Sequence, residues 1–194
     1  MISKDYFNFR KDLEKAVSCL HAGGLILYPT DTIWGIGCDA TNCEAIKRIY
    51  KLKQRDDSKS MLVLVNDEEA LKNLVKEIPE EAKRLINESL TPLTVIYDNP
   101  EGVSQELVAD DGSLGIRITK EKFSNELCKN FGKPIVSTSA NISGEVSPSN
   151  FIHISQYIKD RVDYIVEYGR NDQTVKSPSS IIKVTKEGGI KVIR

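Results

Sequence analysis

Two cations stand two residues apart in Lys51-Leu52-Lys53-Gln54-Arg55, and Lys47 and Arg48 precede them with no acidic residue between positions 47 and 55. Where a helix gives way to a loop, a lysine point charge at Lys53 and a planar arginine fork at Arg55 can converge on the oxygens of one phosphate or carboxylate. The same cations also suit a solvated helix end, which the helix dipole favours. A second stretch, Lys133-Pro-Ile-Val-Ser-Thr-Ser-Ala-Asn-Ile-Ser-Gly144, runs two strand-forming residues, Ile135 and Val136, into the hydroxyls and amide of Ser137, Thr138, Ser139, Asn141 and Ser143. Open α/β sheets bind ligands at the C-terminal ends of their strands, and Ser, Asn and Gly are equally the residues of an ordinary turn. Arg117 lies within the apolar strand pattern Leu114-Gly-Ile-Arg-Ile118. A cation there must face solvent or an anion; a ligand carboxylate and an internal Asp or Glu are both open. Thr30-Asp31-Thr32 forms a polar corner between two apolar runs and is a further candidate.

Several chemistries are excluded by what the chain lacks. There is no GxxxxGK[ST], GxGxxG, GxSxG or HExxH, so a phosphorylated ligand would be held by separated cations and strand-end hydroxyls, not by a glycine-rich cradle. Cys19, Cys38, Cys43 and Cys128 form no CxxC pair, and only His21 and His153 could join them, so no metal site is expected. Reduced, buried thiols are the expectation, and no nucleophile is assigned. A formal net charge of -1 argues against non-specific coating of nucleic acid.

The elements that must position these groups follow from periodicity. Phe9, Leu13, Ala16, Val17 and Leu20 recur at helical spacing before Gly23-Gly24. Leu25–Tyr28 and Ile33–Cys38 read as strands across the Thr30–Thr32 corner. Thr41 and Glu44 have capping-box spacing for a helix over Asn42–Lys53, with Ile46, Ile49 and Leu52 or Tyr50 inward. Met61–Val65, Leu93–Tyr97 and Leu114–Ile118 read as strands, and Asp67–Val75, Pro79–Ser89 and Asn125–Phe131 as helices. A helix over Asn150–Ile158 with Ser149 as N-cap follows, then strands at Tyr164–Val166, Ser180–Val184 and Ile190–Ile193. The 194 residues are expected to form one α/β domain, 1–194, with a twisted open mixed sheet and flanking helices. No apolar run is long enough to span a bilayer and the N-terminus has no apolar leader segment, so a cytoplasmic protein is expected.

Read in order, Tyr28-Pro-Thr-Asp-Thr-Ile-Trp-Gly-Ile-Gly-Cys-Asp39, Leu52-Lys-Gln-Arg55 and Ser137-Thr-Ser-Ala-Asn-Ile-Ser-Gly144 resemble the signature segments of the YrdC-like, threonylcarbamoyl-adenylate synthase family. The likeness extends from about Gly23 to the C-terminus through Pro92–Val95, Arg117 and Pro178–Ser180. It implies the YrdC-like fold and a nucleotidyltransferase that condenses L-threonine, bicarbonate and ATP into L-threonylcarbamoyl-adenylate with release of pyrophosphate. That product serves N6-threonylcarbamoyladenosine formation in tRNA, with downstream threonylcarbamoyl-transfer proteins as partners and Mg2+ carried on the ATP phosphates. By the resemblance, Lys53 and Arg55 would hold the phosphates as the catalytic pair. Ser137, Ser139, Asn141 and Arg194 would bind the nucleotide, and Thr30, Thr32, Arg117 and Ser180 would grip threonine. The other function class is a double-stranded-RNA or ribosome-binding module using the 47–55 basic stretch.

Overall fold

The computed structural model describes residues 4–54, 61–174, 176–184 and 189–194, with residues 4–6 as backbone alone. Among the described residues, one mixed sheet of nine strands organises the fold. In chain order the strands are β1 (Ile26–Tyr28), β2 (Gly35–Gly37), β3 (Leu62–Val65), β4 (Leu93–Asp98), β5 (Ser113–Ile118), β6 (Ile135–Ser139), β7 (Tyr164–Ile165), β8 (Ser180–Val184) and β9 (Ile190–Val192). Their spatial order is β7-β1-β2-β6-β3-β5-β4-β8-β9. Pairs β1/β7, β3/β5 and β4/β8 are parallel and the rest antiparallel. The expected α/β mixed sheet is therefore present, with α1 (Lys4–His21), α2 (Cys43–Lys53), α3 (Glu68–Lys72), α4 (Glu80–Glu88), α5 (Lys122–Phe131) and α6 (Gln156–Lys159) around it.

Strand β6 joins the two halves. Its first residues pair with β3, Leu62 opposite Ser137 and Leu64 opposite Ile135, while its last pair with β2, Ile36 opposite Thr138 and Gly35 opposite Ser139. Side chains alternate across a strand, so Val63, Val95, Leu114, Ile116 and Ile182 enter the core, and Thr94, Ile96, Gly115, Arg117 and Ile181 share the other face. On the core side α1 packs against α5, with Phe9 edge-on to Phe123 at 5.5 Å.

Several boundaries move, each for a local reason. Helix α2 is capped by Asn42, whose side chain accepts from the Ala45 N–H at 3.1 Å, and not by Thr41. The Thr41 hydroxyl is already engaged, donating to Asp39 Oδ1 at 2.7 Å. Ile46, Ile49, Tyr50 and Leu52 are all buried, as the helical pattern requires. The expected Asn150–Ile158 helix divides into a 3-10 turn at Phe151–His153, capped by Asn150, and α6, capped by Ser155. Two competing caps within five residues each start a new turn. The second strand shrinks to Gly35–Gly37, α3 to five residues behind its Asp67 cap, and α5 begins three residues before the expected Asn125, at Lys122 behind a Glu121 cap.

Strands β1, β2 and β6 approach closely because β2 carries glycine at both ends. A Cβ added to Gly37 would meet Tyr28 Cε1 and the Val136 carbonyl oxygen, each at 2.7 Å. The Tyr28 ring is fully buried under β2 and its hydroxyl donates to that same carbonyl at 3.3 Å. Neither neighbour can retreat, since one is backbone and the other a packed ring. Gly37→Ala should therefore destabilise the fold by about 1–3 kcal/mol, read as a lower urea midpoint.

Candidate active site

Above the exposed face of the sheet lies a cleft of about 290 Å³, at the small end of the usual range for ligand sites. Ser137, Thr138 and Ser139 of β6 form one wall, Thr32 to Gly35 another, and Pro178, Ser179 and Arg194 the third. Leu62, Ile96, Gly115 and Ile181 supply an apolar floor, and Arg117 rises from it. The C-terminal half of β6 is thus a wall of hydroxyls, and Gly35 leaves them room: a Cβ there would lie 3.2 Å from Ser137 Oγ.

Arg117 is almost fully buried, opposite Leu64 in the β3/β5 register. Its Nη2 lies 3.1 Å from Asp31 Oδ1 and 3.4 Å from Thr32 Oγ1. The contact to Asp31 lacks hydrogen-bond alignment, leaving buried Asp31 Oδ1 and Arg117 Nε without hydrogen-bond partners. Of the two partners open from sequence, the internal acid is present, and it engages only part of the guanidinium. Burial pulls the Arg117 pKa down, Asp31 acts against that, and the charge of Arg194 adds to the downward pull. Burial raises the Asp31 carboxyl above the ordinary aspartate range, against the lowering influence of Arg117. Among the described lining residues the charged groups are Arg117 and Arg194. Two guanidinium groups that repel one another, with no acidic side chain in the described lining, make an anion-seeking site.

The Thr30–Thr32 corner holds itself in shape. Thr30 Oγ1 donates to the Ile33 carbonyl at 2.8 Å and accepts from the Thr32 N–H at 3.1 Å. With that proton committed, the 3.0 Å contact between the two hydroxyls has Thr32 donating. Thr32 Oγ1 then presents its lone pairs to Arg117. Behind the corner, Lys176 Nζ donates to the Thr30 carbonyl at 3.1 Å.

The residues assigned from sequence divide into those that line this cleft and those that shape it. Thr32, Arg117, Ser137, Ser139 and Arg194 line it. Arg194 is not frayed: its backbone pairs with Ile181, its carbonyl accepting from the Ile181 N–H at 3.0 Å, and Nε donates to the Ser179 carbonyl at 3.2 Å. Thr30 is a buried turn former behind Thr32. Asn141 is buried and folds its own loop, donating from Nδ2 to the Ile142 and Glu145 carbonyls at 2.9 Å each. Lys53 is also buried, its ammonium on the carbonyls of Ser139 and Asn141 at 2.5 and 2.6 Å. Ser180 is exposed, and Ser179, one residue earlier, is the hydroxyl at the cleft, 2.9 Å from Thr94 Oγ1. The reason is strand alternation: one residue of register exchanges the faces. Arg55 lies outside the described residues.

Sequence reasoning placed Asp31 in a candidate corner without giving it a role, and gave none to Ser179, Trp34 or Thr94. Asp31 carried a signal, since a carboxylate between two threonines at a strand corner is a natural partner for an isolated strand arginine. Trp34 borders the cleft and packs on Phe151 with ring centroids 4.8 Å apart. All four cysteines are free, and burial pushes the Cys38 and Cys128 thiols far up, which leaves them unsuited to nucleophilic work.

Comparison with known proteins bears on the family and the fold. The Sua5/YciO/YrdC family model, described as telomere recombination, matches residues 18–194. The threonylcarbamoyl-AMP synthase of Hahella chejuensis is 36% identical over 155 residues, covering 78% of this chain and 83% of that protein. That of Vibrio campbellii is 28% identical over 184 residues, covering 92% and 100%. Among solved structures, Pyrococcus abyssi Sua5 complexed with L-threonine superposes with a TM-score of 0.84 at 28% identity, covering 96% of this chain and 54% of that one. E. coli YciO superposes with a TM-score of 0.81 at 25% identity, covering 96% and 89%. The chain thus spans about half the length of the Sua5 protein. On its match across residues 18–194, the chain belongs to the Sua5/YciO/YrdC family.

Proposed function

We propose that this chain is a threonylcarbamoyl-AMP synthase, a nucleotidyltransferase that condenses L-threonine, bicarbonate and ATP and releases pyrophosphate for tRNA threonylcarbamoylation. The observation that carries the reading is Arg117: a buried guanidinium, only partly engaged by Asp31, in the floor of a hydroxyl-walled cleft that a second arginine, Arg194, also lines. Relatives that carry the synthase name, and a threonine-bound Sua5 of the same fold, support it.

The arrangement suits a reaction that needs placement and charge neutralisation more than a nucleophile. Arg117 receives the threonine carboxylate while Thr32 Oγ1 accepts from its Nη2 and holds the guanidinium in place, leaving the amine free to attack bicarbonate with loss of water, or CO2 directly. The carboxylate of the resulting N-carboxy-threonine then attacks the α-phosphate, and pyrophosphate departs. Ser137, Ser139 and Arg194 orient the nucleotide, and Arg55 is assigned to the phosphates. No acidic side chain is found among the described lining residues, so Mg2+ would travel on the phosphates with few protein ligands. Proteins that transfer the threonylcarbamoyl group to tRNA would take the product. No described helix is long and apolar enough to cross a membrane.

The RNA-binding reading is weakened. Lys47 pairs with Glu44 at 3.2 Å, Arg48 with Asp163 at 2.7 Å, and Lys53 is buried, which leaves Lys51 as the exposed cation among the described residues of the 47–55 stretch that has no ion pair.

Pyrophosphate release should require threonine and bicarbonate together, each omitted in turn. Release that persists without either, or binding to duplex RNA that falls steeply with salt in a chain without activity, would overturn the synthase reading. Arg117→Lys, which keeps a charge opposite Asp31 but loses the fork, should lower kcat/KM for threonine by roughly 100-fold. The Asp31 carboxyl also fixes a pH dependence. Its folded pKa is raised, so the folded chain binds this proton more readily than the unfolded one, and its contribution makes stability fall as pH rises through the window above about 3.9. Asp31→Asn should flatten that segment of the stability curve, measured as urea midpoints between about pH 4 and pH 7.

A further inference from the structure

Lys53 closes α2 at the point where Gln54 turns into the left-handed region with φ 49°. Its side chain runs inward and is 1% exposed, and its ammonium gathers the carbonyls of Ser139 and Asn141. Its own carbonyl accepts from the Ser143 N–H at 2.8 Å. Side chain and backbone of one residue thus grip three points of a five-residue segment that begins at Ser139, the end of the hydroxyl wall of β6.

The rest of the loop closes around that grip. The Ala140 N–H donates to the Trp34 carbonyl at 3.1 Å, fastening the loop to the opposite cleft wall. Asn141 Nδ2 reaches forward to Ile142 and Glu145, and its Oδ1 accepts from Ser147 Oγ at 3.4 Å. Ser139 and Ser147 border the cleft, whereas neither Lys53 nor Asn141 is among its lining residues. Carbonyl oxygens turned toward a phosphate would repel it; drawn onto a buried ammonium, they are neutralised by charge-assisted hydrogen bonds. Breaking that grip leaves a buried cation and two carbonyls to find new partners, so the loop shape and the charge stand or fall together.

We propose that Lys53 is a positioning residue: it folds the Ser139–Ser147 loop into the shape that receives the nucleotide, and it acts on ATP through that loop and not by touching a phosphate. The proposal rests on the reading of this cleft as a nucleotide site, and it revises the role that the motif implies for this lysine.

The test uses the full chain carrying Lys53→Met, with Lys53→Gln as a second variant that keeps a hydrogen-bond donor should the first fail to fold. Hydrogen exchange is measured first without any ligand. Loop amides, Ser143 above all, should exchange faster in the variant, while those of α1 and α5 keep wild-type protection. ATP affinity, read by calorimetry, should weaken by roughly 10- to 100-fold, the coupling expected within one hydrogen-bond network, and threonine affinity should stay within about threefold. In combination with Asn141→Ala, the losses in ATP affinity should be well short of additive, because both substitutions open the same loop. Unchanged loop exchange alongside weakened ATP binding, or additive losses, would show direct phosphate contact and overturn the proposal. An equal fall in threonine affinity would overturn it as well, as would unaltered ATP binding. A wild-type chain that binds ATP yet releases no pyrophosphate with threonine and bicarbonate would sink the synthase reading and leave the Lys53 measurements standing.

Discussion

A guanidinium on the floor of a β-sheet has to be kept charged and aimed, and much of this site is organised around that demand at Arg117. Burial disfavours its charge, and Asp31 offsets the cost from a corner held by the two threonine hydroxyls. The offset is incomplete by geometry. Nη2 is near Asp31 without alignment and Nε has no partner, so the pair is poised to gain from an arriving anion instead of being satisfied in advance. A fully satisfied internal salt bridge would have been a structural device; this one leaves hydrogen-bonding capacity unused on an arginine that lines the cleft.

The same corner depends on how closely three strands can approach. Glycine at both ends of β2 lets the buried Tyr28 ring lie beneath it and brings the β6 hydroxyls against the Thr32–Gly35 wall. On the far side, β8 and β9 carry Ser179 and Arg194 to the rim, and the backbone pairing of Arg194 with Ile181 gives a terminal cation a defined place. Residues far apart in sequence therefore enclose one small volume because β6 pairs with both halves of the sheet.

Charge is distributed by depth. The formal net charge is -1, and Lys47 and Arg48 of α2 meet acidic partners at the surface, where such pairs contribute little to stability. The described cleft lining keeps arginine without an acidic side chain, so a nearly neutral chain presents a locally positive concavity, as an anionic substrate requires.

The alternation of helices and strands, the hydroxyl-rich end of β6 and the oddity of Arg117 inside an apolar strand were all legible in the sequence, because periodicity and residue type report directly on burial and hydrogen-bonding capacity. The ordered motifs were enough to point to the family. What only the tertiary structure decided is direction. Ser179 and not Ser180 faces the cleft because β8 pairs with β4 in one register, and alternation reverses with a single step. Lys53, read in sequence as a cation for a ligand, turns inward because α2 ends against the Ser139–Asn141 carbonyls, whose buried oxygens need a donor. A sequence states which groups are present; where a charge points is settled by which unsatisfied partner the fold brings nearest.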